Sequence, residues 1–241
     1  MRSESNAPAE PVLAAGEKAT KQRLLDAAVR LFAERGFQGA SVRAVTEAAG
    51  ASVSAANYHF GSKEEMLRAA IVSRATPLNE RRLEALTAVE RGAGQGGAPT
   101  VEEVVRAFVY PILEMRAEAN SEETAYRGLA ARLYVDPPAA VAQIRREVFE
   151  PVNERFREVL SRALPDASPE EVALSLQLGL GVLVHMLSGN AEFAGSSENA
   201  LEDLFDTLVT FSAAGIKAVC CESASGNSRG PIDAGSAGED S

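Results

Sequence analysis

The 241-residue chain is expected to be all-α, with about nine helices. Three observations predict this. Ala, Leu, Glu and Arg are abundant, and these residues lose little freedom in a helix. Strict alternation of apolar and polar residues, the mark of a half-buried strand, is scarce. Helix-start boxes of the form Ser/Thr-x-x-Glu recur at Ser62/Glu65, Thr100/Glu103 and Ser168/Glu171. Apolar residues make up 46% of the chain and tryptophan is absent, so a substantial core is expected to be built from Leu, Val and Ala.

The elements follow in order. Residues 1–16 are rich in Ala, Pro, Ser and Glu and are expected to be disordered, with no basic-then-apolar leader pattern. A first helix is predicted from Ala19 to Arg35, with Leu24, Ala28, Leu31 and Phe32 on one face and Gly36 as its stop. A second starts at the N-cap Ser41 and stops before Gly50; a third covers Val53–His59. The fourth begins at Ser62 and runs past Ala70, with Pro77 expected to kink or restart it. After the loop at 91–99, a fifth opens at Thr100 and should bend at Pro111. A sixth is placed over Glu122–Tyr134 and a seventh over Ala139–Ala163, with a kink at Pro151. The eighth starts at Ser168–Pro169 and reaches Leu187. The ninth carries Leu201, Leu204, Phe205, Leu208, Ser212 and Ile216 at helical spacing. Residues 222–241 are Gly- and Ser-rich, and a disordered tail is expected. The organisation is thus a disordered segment 1–16, a small head 17–66, a larger helical domain 67–221 and a tail 222–241.

The net charge of −10 argues against a protein that coats nucleic acid, but the charge is uneven. Residues 17–75 carry nine basic and six acidic side chains, so this segment is +3 and the rest is −13. One part tolerates a polyanion and the other does not. The only cysteines, Cys220 and Cys221, are adjacent, which suggests a reducing, cytoplasmic compartment and leaves a redox role open. The uncharged run 172–191 approaches transmembrane length, but it contains Gln177, His185 and Asn190 and lacks an aromatic belt, so a buried helix is expected instead.

The segment 41–63 reads as a helix-turn-helix. Gly50 permits the tight turn, and Val42, Val45, Ala49, Ala56 and Phe60 are spaced to face inward. Val53, Ser54, Ala55 and Asn57 are small or hydrogen-bonding, so that face of the third helix suits close entry into a major groove. Tyr58, His59, Lys63 and Ser41 supply donors around it that suit phosphates, which set register without specifying sequence. The competing reading is a small packing module in which Lys63 is simply solvated and Asn57 is a surface amide.

The stretches "LLDAAVRLFAERGFQGASVRAVTEAAGAS" and "NYHFGSKEEMLRAAI" resemble the DNA-binding domain of the TetR (tetracycline-repressor) family over residues 20–71. The resemblance implies a cytoplasmic homodimeric transcription regulator, its second domain taking a small molecule that changes operator affinity. By position, Ser41, Tyr58, His59 and Lys63 fall where members of the family often meet phosphates, and Arg43, Val53, Ser54, Ala55 and Asn57 where bases are read. Asn57 stands where many members carry tyrosine; its amide suits adenine or a phosphate. The "NYHF" variant with "RRLEALTAVE" also resembles a subgroup that includes regulators of fatty-acid metabolism, so an apolar or acyl-type effector is an expectation.

For the second domain, Phe108, Met115, Tyr126, Phe149 and His185 are candidate pocket residues, although each also fits plain helix packing and His185 a helix interface. The apolar eighth helix, with Gly179 and Gly181, and the amphipathic ninth are expected to form half of a four-helix homodimer interface. The expected partners are a double-stranded operator, probed as a near-palindrome, and a small-molecule effector. The sequence shows no persuasive catalytic set, Gly-rich phosphate loop or metal spacing, so no enzyme activity, cofactor or metal is expected. The alternative is an all-helical small-molecule-binding protein or enzyme without a DNA role.

Overall fold

The computed structural model describes residues 10–94, 97–117, 121–134, 138–187 and 200–222, and among them it contains nine helices and no strand. These are α1 (Glu10–Gly39), α2 (Val42–Ala49), α3 (Val53–Phe60), α4 (Lys63–Gly92), α5 (Val101–Ala117), α6 (Ser121–Arg132), α7 (Ala139–Ala163), α8 (Pro169–Leu187) and α9 (Ala200–Glu222). The all-α expectation holds, and α7 and α8 begin and end where the sequence signals place them.

One expectation changes. Helix α1 starts at Glu10, inside the segment expected to be disordered, because Pro11 sits in a first turn where its missing N–H costs nothing and Ala and Leu follow. The stop expected at Gly36 holds, because its φ of 69° and ψ of 173° are non-helical and break α1 there. Helix α4 runs unbroken through Pro77. Pro77 is exposed, and its missing N–H leaves the Ser73 carbonyl without its helical donor. The tail predicted beyond residue 222 lies outside the described residues, as do residues 1–9 of the expected disordered start. No described helix is long and apolar enough to cross a membrane, so the run at 172–191 does not read as a span.

The helix starts are capped as the boxes require. Thr100 and Glu103 cap reciprocally, with Thr100 N–H donating to Glu103 Oε2 at 2.8 Å and Glu103 N–H to Thr100 Oγ1 at 3.2 Å. Ser168 and Glu171 do the same at 2.8 and 3.2 Å. At Ser62 the hydroxyl accepts from Glu65 N–H at 3.1 Å, while the Glu65 carboxylate accepts from Arg68 Nε at 3.3 Å.

Two apolar cores are threaded by one helix. The first half of α4 contributes Met66, Leu67, Ala70, Ile71 and Ala75 to the core of the head, with Leu24, Phe32, Val45 and Phe60. The second half contributes Leu78 and Leu86 to the larger core of α5, α7, α8 and α9. The head core also continues past residue 66 into α6 and early α7, through Tyr126, Leu129, Leu133, Ile144 and Phe149. Gly128 of α6 packs against α1 close to Ala33. Arg132 then donates to the carbonyls of Ala33 at 2.6 Å and Glu34 at 3.2 Å, occupying acceptors near the end of α1. Arg74 of α4 pairs with Asp26 of α1 at 2.7 Å, and Arg68 pairs with Glu147 of α7. The head is therefore fastened to the second domain by α4, α6 and α7 together.

Candidate nucleic-acid interface and effector domain

The turn between α2 and α3 is built from backbone chemistry that the sequence dictates. Gly50 takes φ 59°, ψ 40°, its N–H donates to Glu47 O at 3.3 Å, and Ala51 N–H donates to Thr46 O at 2.9 Å. This pair of bonds around a left-handed residue is a Schellman stop. Arg23 Nε donates to Ala49 O at 3.2 Å, so α1 supplies a further donor to the end of α2. Ser41 and Ser52 cap α2 and α3 by accepting from Ala44 and Ala55 N–H, each at 3.1 Å. Val45, Ala49, Ala56 and Phe60 are buried and Val42 is half-buried, as the inward face requires.

With Ala56 and Phe60 turned inward, α3 presents Val53, Ser54, Asn57 and Tyr58, all exposed and spaced along one stripe. Tyr58 retains 75% of its surface and Val53 45%, unusual for residues of this kind and sufficient to contact a partner. Ala55 and His59 are half-buried at the edges of the stripe. Tyr58 and His59 rings meet edge to face at 5.2 Å. Lys63 holds its ammonium 4.6 Å from the Phe37 ring centre, one turn of chain beyond Tyr58 and His59. Ser41 is exposed, and its hydroxyl already serves as the cap of α2. Arg43 is 83% exposed and paired with Glu47 at 3.0 Å, a surface ion pair that holds the guanidinium only weakly. The predicted DNA-binding residues thus surround a single helix and its two flanking turns.

The candidate pocket residues do not gather. Phe108 lines a small apolar cavity of about 20 Å³ with Val105, Phe156, Leu160, Leu176 and Leu183. Its ring meets Phe156 edge to face at 4.9 Å. Tyr126 and Phe149 are buried in the head core, on the other side of α4. His185 is exposed on α8, and the Met115 side chain lies outside the described residues. Two residues that the sequence reading passed over are buried polar groups on α4, Asn79 and Arg82. A signal for Arg82 exists in the sequence: it falls at i+4 from Leu78 and i−4 from Leu86, in phase with the buried face.

The second domain leaves an apolar surface open on its last helices. Leu174 and Leu178 are 52% and 55% exposed, and Gly181 and His185 continue their stripe at i+7 and i+11 from Leu174. On α9, Phe211 is 64% exposed, with Ala214, Gly215 and Ala218 exposed beside it. Exposed ion pairs tie α9 to α5, Arg106–Asp206 at 2.8 Å and Lys217–Glu102 at 2.6 Å. Among the described residues no group of three or more His, Cys, Asp or Glu side chains is placed to hold a metal ion.

A helix-turn-helix head on a helical second domain defines a class of DNA-binding regulator, and comparison with known proteins agrees. Residues 24–70 match the family model described as bacterial regulatory proteins, tetR family, and residues 106–215 match the tetracyclin repressor-like C-terminal domain. The chain belongs to the TetR family of bacterial transcriptional regulators. It is 48% identical over 59 residues to the HTH-type transcriptional repressor AcnR of Corynebacterium glutamicum, a match that covers 24% of this chain and 31% of AcnR. It is 26% identical over 176 residues to the HTH-type transcriptional regulator SrpR of Pseudomonas putida, covering 73% of this chain and 75% of SrpR. Among solved structures, a TetR-family regulator of Streptomyces coelicolor A3 superposes with a TM-score of 0.53 at 26% identity, covering 80% of this chain and 90% of that one. The match to AcnR spans about a third of that repressor's length.

Proposed function

We propose that this chain is a ligand-responsive transcriptional regulator, acting as a repressor, that binds a near-palindromic operator as a homodimer in the cytoplasm. The observation that carries this reading is the exposed stripe Val53, Ser54, Asn57 and Tyr58 on a helix held by a Schellman stop and a serine cap. A helix fixed in that way enters a major groove without having to order itself first. Arg43, Ala55 and Asn57 join Val53 and Ser54 in reading base edges, while Ser41, Tyr58, His59 and Lys63 hold phosphates on either side. The +3 segment 17–75 on a chain of −10 directs the duplex to this surface and away from the rest.

The homodimer forms through the open stripes of α8 and α9. Its two-fold symmetry presents two reading helices, so operator half-sites lie about 34–36 Å apart or a multiple of that. A small molecule in the second domain acts by preferring one spacing of the two heads over the other. Helices α4, α6 and α7 carry that preference, because all three pack into the head core. No catalytic step is part of this reading.

Selection from a random duplex pool with the purified full chain tests the proposal. The expected result is enrichment of one near-palindromic motif bound by a dimer. Recovery of no motif, with equal affinity for selected and starting pools, would overturn it.

A further inference from the structure

The break at Gly36 decides where the next side chain goes. With φ 69° and ψ 173° the backbone leaves the helical path of α1 and redirects Phe37. Phe37 is half-buried against the head core, its ring centre 6.1 Å from that of Phe32. The Lys63 ammonium lies 4.6 Å from the Phe37 ring centre. Lys63 is the first residue of α4, directly after the cap Ser62. The positive end of the helix dipole disfavours a cation there, so an unassisted lysine would swing away. The electron-rich face of the ring opposes that.

A ring and a carboxylate hold a lysine with different consequences. A carboxylate would cancel the charge that a phosphate needs, whereas a ring attracts the cation without neutralising it and leaves its N–H donors for other acceptors. Glu65 of the same turn is taken by Arg68 at 3.3 Å, and among the described residues no carboxylate pairs with Lys63. The turn before Phe37 is in its own right held from the second domain. Arg132, in the last turn of α6, donates to the carbonyls of Ala33 and Glu34 at 2.6 and 3.2 Å. Its Nη1 lies 3.7 Å from where a Cβ on Gly36 would stand. Tyr126 and Leu129, on the same helix as that arginine, are anchored in the head core. A continuous set of contacts therefore joins Arg132 to the Gly36 break, Phe37 and Lys63.

We propose that Phe37 is a positioning residue for the contact of Lys63 with phosphate, and that Arg132 sets the Phe37 ring in place, so that the grip on DNA depends on where α6 stands. This rests on the reading of Lys63 as a phosphate contact and adds two residues that act through it. Holding the ammonium over the ring before DNA arrives lowers the ordering cost of a rotamer-rich side chain. Without the ring, each half-site should be held about threefold less well, which is about tenfold for a dimer on both.

Affinity of the full chain for the duplex selected from the random pool tests the proposal, in double-mutant cycles with Lys63→Gln. Phe37→Leu, which keeps an apolar side chain but no ring, should weaken binding about tenfold. Phe37→Tyr, which keeps the ring, should bind as wild type does. Arg132→Gln should weaken binding about threefold. When Lys63 is already replaced by glutamine, neither Phe37→Leu nor Arg132→Gln should cost more than about twofold, whereas a purely structural role costs the same in both backgrounds. Proton NMR of the protein without DNA gives a second readout. The Lys63 Hε resonances, moved upfield by the ring, should return to the solvated position in Phe37→Leu and shift towards it in Arg132→Gln. If Phe37→Leu does not fold, Arg132→Gln, whose side chain is exposed, carries both measurements. The proposal is overturned if either variant binds as wild type does, if either cost persists in full beside Lys63→Gln, or if the Hε resonances do not respond. The two levels fail separately. Wild-type affinity in Lys63→Gln alone refutes the phosphate reading, whereas a weakened Lys63→Gln beside an unaffected Phe37→Leu refutes only the positioning.

Discussion

Replacing Leu178 tests the dimer surface through a quantity that the structure sets. Leu178 keeps 55% of its surface in the single chain, so an interface over it removes about half of a leucine from water. Full burial of a leucine contributes about 1.5–3 kcal/mol, which makes the half remaining here worth about 1 kcal/mol per protomer. A two-fold interface uses each residue twice, so Leu178→Ala should cost about 2 kcal/mol of dimer stability, or about 30-fold in the dimer dissociation constant. Leu178→Glu should be more severe, because it places two carboxylates without partners in the same seam, and should leave monomer at micromolar concentration. Neither change should unfold the chain, since the side chain is half outside its own core. Sedimentation equilibrium across nanomolar to micromolar protein, with helicity followed by circular dichroism, gives both numbers. A Leu178→Glu variant with the wild-type dimer constant would refute the assignment of α8 to the interface.

Two further changes probe the head and the second domain. Gly50 sits at φ 59° and a Cβ there would meet nothing within 4 Å, so the cost of Gly50→Ala is conformational alone. It should be about 1–2 kcal/mol, less for Gly50→Asn, read as a lower urea midpoint at unchanged slope. Burial pushes the Glu90 carboxyl up, but bonds from Arg162 and Arg155 outweigh it and hold its pKa below the ordinary 4.5. Its stabilisation is therefore present above pH 4.5 and lost as the pH falls through the lower folded value. Glu90→Gln should lower the urea midpoint at pH 7 by about 1 kcal/mol equivalent and lessen the acid sensitivity that wild type shows below that pH.

Much of the fold was legible because its signals are local. The Thr100/Glu103 and Ser168/Glu171 boxes place the starts of α5 and α8, and Gly50 marks the α2–α3 turn, without reference to the rest of the chain. Helix α4 continues through Pro77, which is exposed, and that facing was not legible in the sequence alone. The head surface was readable for the same local reason, since inward and outward residues of α3 follow from helical spacing. The candidate pocket was not. Tyr126 and Phe149 have core-like spacing, but which of two cores they join depends on how α6 and α7 fold back against α1, a long-range packing choice. Arg82 was overlooked because charged residues usually read as surface, although its phase with Leu78 and Leu86 placed it inside.

The central claim is that residues 53–57 meet base edges while Tyr58, His59 and Lys63 grip phosphates. The direct test is operator affinity of the Tyr58→Phe, His59→Ala, Lys63→Ala triple variant against salt concentration, on protein shown to be folded and dimeric. Losing one charge-assisted and two neutral hydrogen bonds should weaken binding by at least about 100-fold. Losing one lysine contact in each half-site should flatten the log–log salt slope by about 2. Wild-type affinity with an unchanged slope would contradict the account.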